Sequence, residues 1–231
     1  GKVVLVTVGA KGIGRMISEA FITNDATVYI SGRDANTCVK AVKDLNSLQK
    51  GTGYYSAADF SHEGDCKRLA EELSTRERRI FPLLVVYYSK SFHLWSPILS
   101  MNTILKAAFP ELHILVNNSG ATWGAPYDEY PSAAWTKLLT LNVHRVFTIT
   151  QLLTPLLERA TTASDPARII NIGSINGLPV PARETFAYSA SKAGLHHLSR
   201  ALANHLGRPR NHVEYGGVWA VPHQYDGGDD R

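Results

Sequence analysis

The sequence predicts a doubly wound α/β fold, in which helices cover both faces of one parallel sheet. Short apolar segments rich in β-branched residues alternate along the chain with longer segments that repeat apolar residues at helical spacing. Parallel strands need such crossover helices, and strands covered on both faces are apolar along their length. A glycine-rich segment also joins the first strand to the first helix, close to where folds of this class bind ligands. We therefore expect a three-layer αβα arrangement in one domain spanning residues 1–231.

Three strands are predicted in the first half of the chain, each followed by a helix. They lie at residues 3–7, 27–31 and 54–58. The first helix repeats apolar residues from Ile13 to Phe21, and the side chain of Asp34 can cap the second helix. Ser61 begins a charged third helix. This order predicts right-handed βαβ units, which build a parallel sheet.

The second half of the chain repeats the alternation with two more strands. The strands lie at 114–118 and 168–172, and the helices that follow them at 135–157 and 188–206. Gly207 ends the last helix, since glycine is the preferred residue just after a helix C-terminus. The polar motifs described below follow these strands or lie on the flanking helices, as a ligand site of this fold class requires.

Composition and charge argue against several other classes of protein. The net charge is +4, but no run of basic residues is longer than two, so we expect no nucleic-acid partner. The two cysteines and nine histidines lack metal-ligand spacing, so we expect no metal. The apolar stretch at 83–88 is too short to cross a bilayer, and the chain starts without a signal peptide. A soluble cytoplasmic protein without a membrane partner is therefore expected.

The turn after the first strand is a candidate phosphate-binding segment. It carries Gly9, Lys11, Gly12, Ile13 and Gly14 at the start of a helix. Glycine lets the backbone approach a pyrophosphate, and a helix N-terminus offers free N–H groups and a partial positive charge. A glycine-rich turn can also be merely tight, so this segment alone leaves both interpretations open.

A basic residue follows the second strand, where dinucleotide-binding folds selective for NAD carry an acid. Arg33 can pair bidentately with the 2′-phosphate of NADP, and Lys11 can add a second positive charge. The alternative is that Arg33 is an ordinary surface arginine beside the capping residue Asp34. The missing acid favours NADP, in its reduced form NADPH, as the cofactor.

Four residues form a candidate catalytic set. Tyr188 and Lys192 stand four residues apart on one face of the last predicted helix. A positive charge stabilises a nearby phenolate, so the pair allows a tyrosine to protonate a ketone during its reduction at neutral pH. Ser174 follows the fifth strand, where its hydroxyl could bind the carbonyl oxygen. Asn142 lies within the long predicted helix, where an asparagine otherwise usually faces solvent.

The ordered set of motifs resembles the short-chain dehydrogenase/reductase family, which implies a Rossmann-type fold that binds NAD or NADP. The turn at 7–14 is similar to the family's Thr-Gly-x-x-x-Gly-x-Gly, with Val8 in place of the first glycine. Residues 117–120 read Asn-Asn-Ser-Gly and resemble the family's Asn-Asn-Ala-Gly. The tyrosine and lysine of the catalytic set match Tyr-x-x-x-Lys. The resemblance covers roughly residues 3–207, apart from one interruption.

The resemblance also implies roles for individual residues. Asp59 and Phe60, which follow the third strand, would lie at the adenine. Asn118 and Gly120 would support the nucleotide, and the catalytic tyrosine and lysine would contact the cofactor as well. Asn142 would bind a water that relays protons to the lysine. Members of the family commonly associate into homo-oligomers through helices that include the one with the catalytic pair.

Three segments narrow the resemblance to 3-oxoacyl-[acyl-carrier-protein] reductases of the rhamnolipid-biosynthesis type. They lie at 118–124, 165–168 and 171–174. This likeness implies reduction of a 3-oxoacyl thioester to a 3-hydroxyacyl thioester. Two alternatives stay open: a polyol or secondary-alcohol dehydrogenase, because the shared catalytic residues do not determine the substrate, and a nucleotide-binding pseudoenzyme or inactive fragment.

Three features of the chain depart from the family pattern. Residues 77–111 have no counterpart in it, and we expect them to be an insertion on the side of the sheet opposite the cofactor. Residues 208–231 differ from the family's closing strand and substrate lid, so we expect both to be missing; the alternative is a short tail with one strand at 213–221. Val8 resists the positive φ that a tight turn demands, and Gly9 beside it is expected to relieve the strain.

Overall fold

The computed structural model describes residues 1–76 and 111–207 and the backbone of one further strand at Glu214–Trp219. Within these residues, six parallel strands form one sheet in the order β3-β2-β1-β4-β5-β6. The strands are β1 (Val3–Thr7), β2 (Thr27–Gly32), β3 (Thr52–Ala57), β4 (Ile114–Asn117), β5 (Arg168–Ile172) and β6 (Glu214–Trp219). The strand order reverses between β1 and β4, which is the topological switch point where such sheets bind ligands.

Helices cover both faces of the sheet, and a π-helical turn interrupts the longest helical segment. The helices are α1 (Gly12–Thr23), α2 (Ala35–Asn46), α3 (Glu63–Arg76), α4 (Ser132–Leu139), α5 (Arg145–Ala160) and α6 (Phe186–Leu206). A π-helical turn at Thr140–His144 joins α4 to α5. The helix predicted at 135–157 is therefore longer than expected and is broken where Asn142 lies.

Two hydrophobic cores lie on the two faces of the sheet, as side-chain alternation along a strand requires. In β1, Leu5 belongs to one core, whereas Val4 and Val6 belong to the other. The first core includes residues of α3 and α5, such as Leu69 and Leu153, and the second includes residues of α1 and α2. Each such aliphatic side chain contributes about 1.5–3 kcal/mol by leaving water. Helices on both faces confirm the predicted three layers.

The register of the sheet aligns the carboxyl ends of its central strands. Thr7, the last residue of β1, pairs with Ser31 of β2. Asn117, the last residue of β4, pairs with Asn171 of β5. The segments that follow these strands therefore meet along one edge, where the sequence motifs were expected to come together.

The C-terminal part of the fold corrects one expectation. We expected the closing strand of the sheet to be missing, but the backbone of β6 pairs in parallel with β5. This outcome corresponds to the alternative of a single strand within 213–221. The expected loss of the substrate lid, and the expected insertion at 77–111 apart from Glu111, lie outside the described residues. Among the helices that are described, none combines the length and apolar character needed to span a membrane.

Candidate active site

The turn after β1 carries backbone strain at the position where the family pattern has glycine. Val8 adopts φ +53°, in the left-handed region that β-branched residues avoid. Holding such a residue there costs about 1–3 kcal/mol. Gly9 does not relieve this strain, because Gly12 is the glycine with a positive φ in this turn. Gly9 serves packing instead: a Cβ there would lie 2.7 Å from Cγ2 of Ile30.

The turn is bonded to the segment that follows β4. The Asn118 side-chain amide donates to the carbonyl oxygens of Thr7, at 3.1 Å, and of Val8, at 3.3 Å. The Thr7 hydroxyl oxygen in turn accepts from the backbone N–H groups of Asn118 and Ser119, both at 2.8 Å. Gly14 lies so close that a Cβ would be 2.2 Å from the Val8 oxygen. Asn118 thus holds the turn in place, and its expected support of the nucleotide stays a prediction.

The N-terminus of α1 has the properties of an anion site. Lys11 is the N-cap residue, and its side chain makes no capping hydrogen bond. The first N–H groups of a helix lack partners within the helix, so those at Gly12 and Ile13 are available to a ligand. Lys11 and Gly12 are exposed, and Ile13 is half-buried. The five turn residues predicted to bind cofactor therefore surround one helix end.

The carboxylate of Asp34, the acidic residue beside Arg33, caps the helix α2 that follows it. Asp34 caps α2 and accepts from the backbone N–H groups of Asn36, at 3.0 Å, and Thr37, at 3.3 Å. The hydrogen bond from the Thr37 side chain, followed by these backbone bonds, lowers the pKa of Asp34. The Asp34 carboxylate is thus engaged in capping, whereas the Arg33 side chain is exposed to solvent.

The two residues expected at the adenine differ in their surroundings. Burial raises the pKa of Asp59, but hydrogen bonds from Ser61 and the charge of Arg33 outweigh it, so that the pKa is lowered. Arg33 and Asp59 therefore border the same end of the sheet. Phe60 is 3% exposed and packs in the first core. Its side chain is unavailable to a ligand, which leaves only its backbone for the predicted contact.

Lys192 is buried beside Tyr188 at the start of α6. Its Nζ lies 5.8 Å from the centre of the Tyr188 ring and donates to the carbonyl oxygen of Ile172 at 2.8 Å. Burial lowers the pKa of Lys192 to about 8. The predicted pair is therefore assembled, with a charged amine close to a half-buried phenol at neutral pH.

Ser174 lies at the start of a 3₁₀ turn, Ile175–Gly177, directly after β5. Its hydroxyl oxygen accepts from the Asn176 backbone N–H at 3.2 Å, which leaves the hydroxyl hydrogen to donate to a ligand. The residue is only 5% exposed. Gly177 packs the turn against α6, since a Cβ there would lie 2.7 Å from the Ala193 nitrogen. The turn that carries Ser174 therefore packs directly against α6, the helix that carries Tyr188 and Lys192.

Asn142 is fully buried within the π turn. Its side-chain oxygen accepts from the Ala121 N–H, and its amide donates to the Ala121 oxygen and the Ser191 hydroxyl, each at 2.9 Å. A Cβ on Gly120 would lie 3.0 Å from Oδ1 of Asn142 and 3.8 Å from Nζ of Lys192. The π turn therefore brings Asn142 to the lysine through Gly120. Its expected contact with a relay water stays a prediction.

Two further residues touch the site without having been predicted. The Tyr130 hydroxyl donates to the Trp123 oxygen at 3.3 Å and accepts from the Ala187 N–H at 3.2 Å, next to Tyr188. The backbone N–H of Ser174 donates to Nε2 of His196 at 3.4 Å. No local signal reveals Tyr130. His196 follows Lys192 by four residues, so the helical period could have placed it on the catalytic face.

The comparison with protein families identifies this arrangement. The model of the short chain dehydrogenase family matches residues 2–85 and 98–218. The chain belongs to this family. The resemblance inferred from the turn, the Asn-Asn-Ser-Gly segment and the Tyr-x-x-x-Lys pair is thereby confirmed, and with it the assignment to the NAD(P)-dependent oxidoreductases.

Individual relatives of this short-chain dehydrogenase support the same assignment. The rhamnolipids biosynthesis 3-oxoacyl-[acyl-carrier-protein] reductase of Pseudomonas aeruginosa is 37% identical over 89% of this chain and 67% of its own length. The NADP-dependent (R)-specific alcohol dehydrogenase of Lentilactobacillus kefiri is 29% identical over 88% of this chain and 66% of its own. The chain thus spans about two thirds of the length of both relatives.

A solved structure shares both the fold and a substantial part of the sequence. The complex of Pseudomonas aeruginosa RhlG with NADP superposes on this chain with a TM-score of 0.70. The two are 36% identical, and the match covers 89% of this chain and 67% of the other. The predicted Rossmann-type fold is confirmed.

Proposed function

We propose that this short-chain dehydrogenase uses NADPH to reduce a carbonyl group to a secondary alcohol. The observation that carries the proposal is the assembly of Ser174, Tyr188 and Lys192 at one sheet edge. Gly120 joins this group to Asn142, and Asn118 joins the same loop to the turn at the N-terminus of α1. A proton donor thus shares one edge of the sheet with a candidate phosphate site.

The residues at the switch point fit NADP. The uncapped end of α1 suits a pyrophosphate, and the close approaches at Gly9 and Gly14 leave backbone rather than side chains along the turn. Arg33 offers a fork of donors for a 2′-phosphate, while Asp34 is engaged in capping α2. Lys11 lies close enough to Asp34 to act on its pKa, so it adds positive charge at the same end of the sheet.

The cofactor would supply the hydride that adds to the carbonyl carbon. Tyr188 donates its hydroxyl proton to the carbonyl oxygen, and the hydroxyl of Ser174 donates a hydrogen bond to the same oxygen. Lys192, charged below a pKa of about 8, stabilises the tyrosinate that remains. A proton from solvent then restores the phenol. Asn142 holds the Gly120 loop beside the lysine through Ala121.

The substrate proposed is a 3-oxoacyl thioester. The 37% identity with the Pseudomonas aeruginosa reductase supports it, as do the three segments that resemble reductases of that type. The 29% identity with the Lentilactobacillus kefiri enzyme supports the second candidate, a secondary-alcohol dehydrogenase. A chain that binds nucleotide without turnover is the third candidate, since strain at Val8 works against a well-formed turn.

The test measures NADPH oxidation by the purified chain with a 3-oxoacyl thioester and, separately, with a simple aliphatic ketone. We expect faster turnover of the thioester and loss of turnover in Tyr188→Phe, while that variant still binds NADPH. Tyr127→Phe is the matched control, because Tyr127 is 79% exposed and outside the catalytic set. Nucleotide binding without turnover of either substrate would refute the proposal in favour of the pseudoenzyme.

We also propose that the protein forms a homo-oligomer, as its family resemblance implies. We place it in the cytoplasm, whose reducing conditions suit its two free cysteines. Light scattering of the purified chain measures the mass directly. A mass near the 25.3 kDa of one chain would contradict the oligomer.

A further inference from the structure

Helix α6 contacts the end of β5 at two backbone groups through one stripe of side chains. Nζ of Lys192 donates to the Ile172 oxygen at 2.8 Å, and Nε2 of His196 accepts from the Ser174 N–H at 3.4 Å. Four residues of helix rise about 6 Å, and two extended residues span about 6.5 Å. Because these two distances are nearly equal, side chains four residues apart on α6, Lys192 and His196, reach backbone groups two residues apart, at Ile172 and Ser174.

The two contacts run in opposite directions, and only the His196 contact requires one protonation state. An amine donates to a carbonyl, whereas a ring nitrogen accepts from an N–H only when it carries no hydrogen. His196 must therefore be neutral, with its hydrogen on Nδ1. The side chain is 5% exposed, and burial, followed by the charges of Lys192 and Arg200, lowers its pKa. The neutral form therefore prevails at neutral pH.

We propose that neutral His196 is a positioning residue for carbonyl reduction, because it holds the backbone of Ser174 and so directs the serine hydroxyl. The proposal rests on the proposed function. Ser174 has an extended backbone, with φ −157° and ψ 148°, and its N–H points at the helix rather than into a strand ladder. With that N–H held by His196, rotation of the serine side chain is the remaining freedom of its hydroxyl.

Protonation of His196 breaks this contact, since an imidazolium has only donors and would face another donor. The charged groups that act on its pKa, Lys192 and Arg200, lie on its own helix and oppose protonation. The segment packed against it, from Ser174 to Gly177, contains no titratable side chain. We therefore expect turnover to fall only as the pH drops well below the ordinary histidine pKa of about 6.5.

Three substitutions of His196 separate positioning from packing. In His196→Gln the amide oxygen reaches the place of Nε2 and accepts at every pH, whereas in His196→Asn the shorter side chain stops at the place of Nδ1. His196→Leu removes the acceptor altogether. His197→Gln is the matched control, because His197 is exposed on the same helix.

We expect kcat to fall about 10- to 100-fold in the Asn and Leu variants, as misplacement of a catalytic group does, with KM for NADPH unchanged. The Gln variant and the control keep kcat at pH 7, and of these two only the Gln variant loses the acidic fall in rate. A Gln variant as slow as the Leu variant, or one that keeps the acidic fall, overturns the proposal.

Hydrogen exchange at the Ser174 amide tests the contact without any turnover. We expect slow exchange at pH 7 in the unmodified chain and the Gln variant, and exchange at least tenfold faster in the Leu variant. Equal exchange in all three, after correction for their thermal stability, overturns the inference. If the unmodified chain lacks turnover, or if Tyr188→Phe keeps it, the proposed function fails instead, and the exchange rates still decide whether His196 holds the serine.

Discussion

At the scale of single residues, the structure separates the candidate cofactor groups by what their side chains already do. The carboxylate of Asp34 caps α2, and the ring of Phe60 packs in the hydrophobic core. Arg33 and Lys11 are exposed at the same end of the sheet. The cofactor preference is therefore predicted to depend on the two cations.

Arg33→Ala should weaken NADPH binding and leave NADH binding nearly unchanged. A charged hydrogen bond contributes about 1.5–3 kcal/mol, which corresponds to roughly a 10- to 150-fold rise in the NADPH dissociation constant. Fluorescence titration with each nucleotide measures both constants. Lys40→Ala is the control, since Lys40 is an exposed cation on α2. Equal weakening for NADH and NADPH would show that Arg33 does not read the 2′-phosphate.

Val8→Gly should stabilise the fold and tighten NADPH binding. Glycine accepts the φ of +53° without the strain of about 1–3 kcal/mol, although its greater freedom when unfolded returns about 0.5–1 kcal/mol. Urea unfolding should then show a gain of about 1 kcal/mol. Gln49→Gly is the control, because Gln49 has φ +52° outside the cofactor turn. If both Val8→Gly and Gln49→Gly raise the free energy of unfolding and neither tightens NADPH binding, the substitution at Val8 relieves backbone strain without improving the cofactor site.

At the scale of elements, α6 is held along its length by groups from other parts of the chain. Tyr130 bonds its first turn, Asn142 bonds Ser191, and the Asn171 side chain donates to the Ser199 hydroxyl at 2.8 Å. Asn171 is itself bonded to Asn117 of β4. These contacts place the catalytic helix relative to the sheet edge, so the geometry of the site depends on several elements at once.

Tyr130→Phe should lower kcat by misplacing Tyr188. The substitution removes only the hydroxyl, which bridges the Trp123 carbonyl and the Ala187 N–H, and keeps the ring contacts with Trp135 and Phe186. The lost hydrogen bonds should also cost about 0.5–1.5 kcal/mol each in the free energy of unfolding. Steady-state kinetics beside thermal unfolding measures both, with Tyr127→Phe as the control for an exposed phenol. An unchanged kcat at reduced stability would assign Tyr130 a purely structural role.

At the scale of the whole molecule, the buried lysine links activity to stability. Its pKa is about 8 in the folded chain, against 10.5 for an ordinary lysine. Between these values the unfolded chain binds more protons, so the contribution of this group to stability rises with pH across that window. Below about pH 8 the buried charge costs about 3 kcal/mol.

Lys192→Met should therefore abolish turnover and yet stabilise the fold at pH 7. The gain over the unmodified chain should shrink as the pH rises from 8 toward 10, because deprotonation removes the cost of the charge in the unmodified chain. Urea unfolding of both proteins at pH 7 and pH 9.5 measures the difference. A gain that is the same at both values would show that packing, rather than charge, sets it.

Much of the fold and the catalytic set follows from local patterns. The alternation of apolar strands with helices predicts a parallel sheet, because the repeat of apolar residues in a strand or a helix is visible within a short stretch of sequence. Tyr188 and Lys192 share a helix face because they are four residues apart. The sequence also shows directly that Arg33, and not an acidic residue, follows the second strand. These features need no knowledge of what lies across the molecule.

Only the tertiary structure decided the features that depend on contacts distant along the chain. The π turn that carries Asn142 to Ala121 and the sixth strand beside β5 both involve contacts between separate elements. Val8, with its positive φ, lies in a turn that the Asn118 side chain bonds from the segment after β4. His196 had an available helical signal, but its partner at Ser174 is 22 residues away and belongs to another element. Local propensity is worth less than about 1 kcal/mol per residue, so such contacts override it wherever packing demands a different backbone.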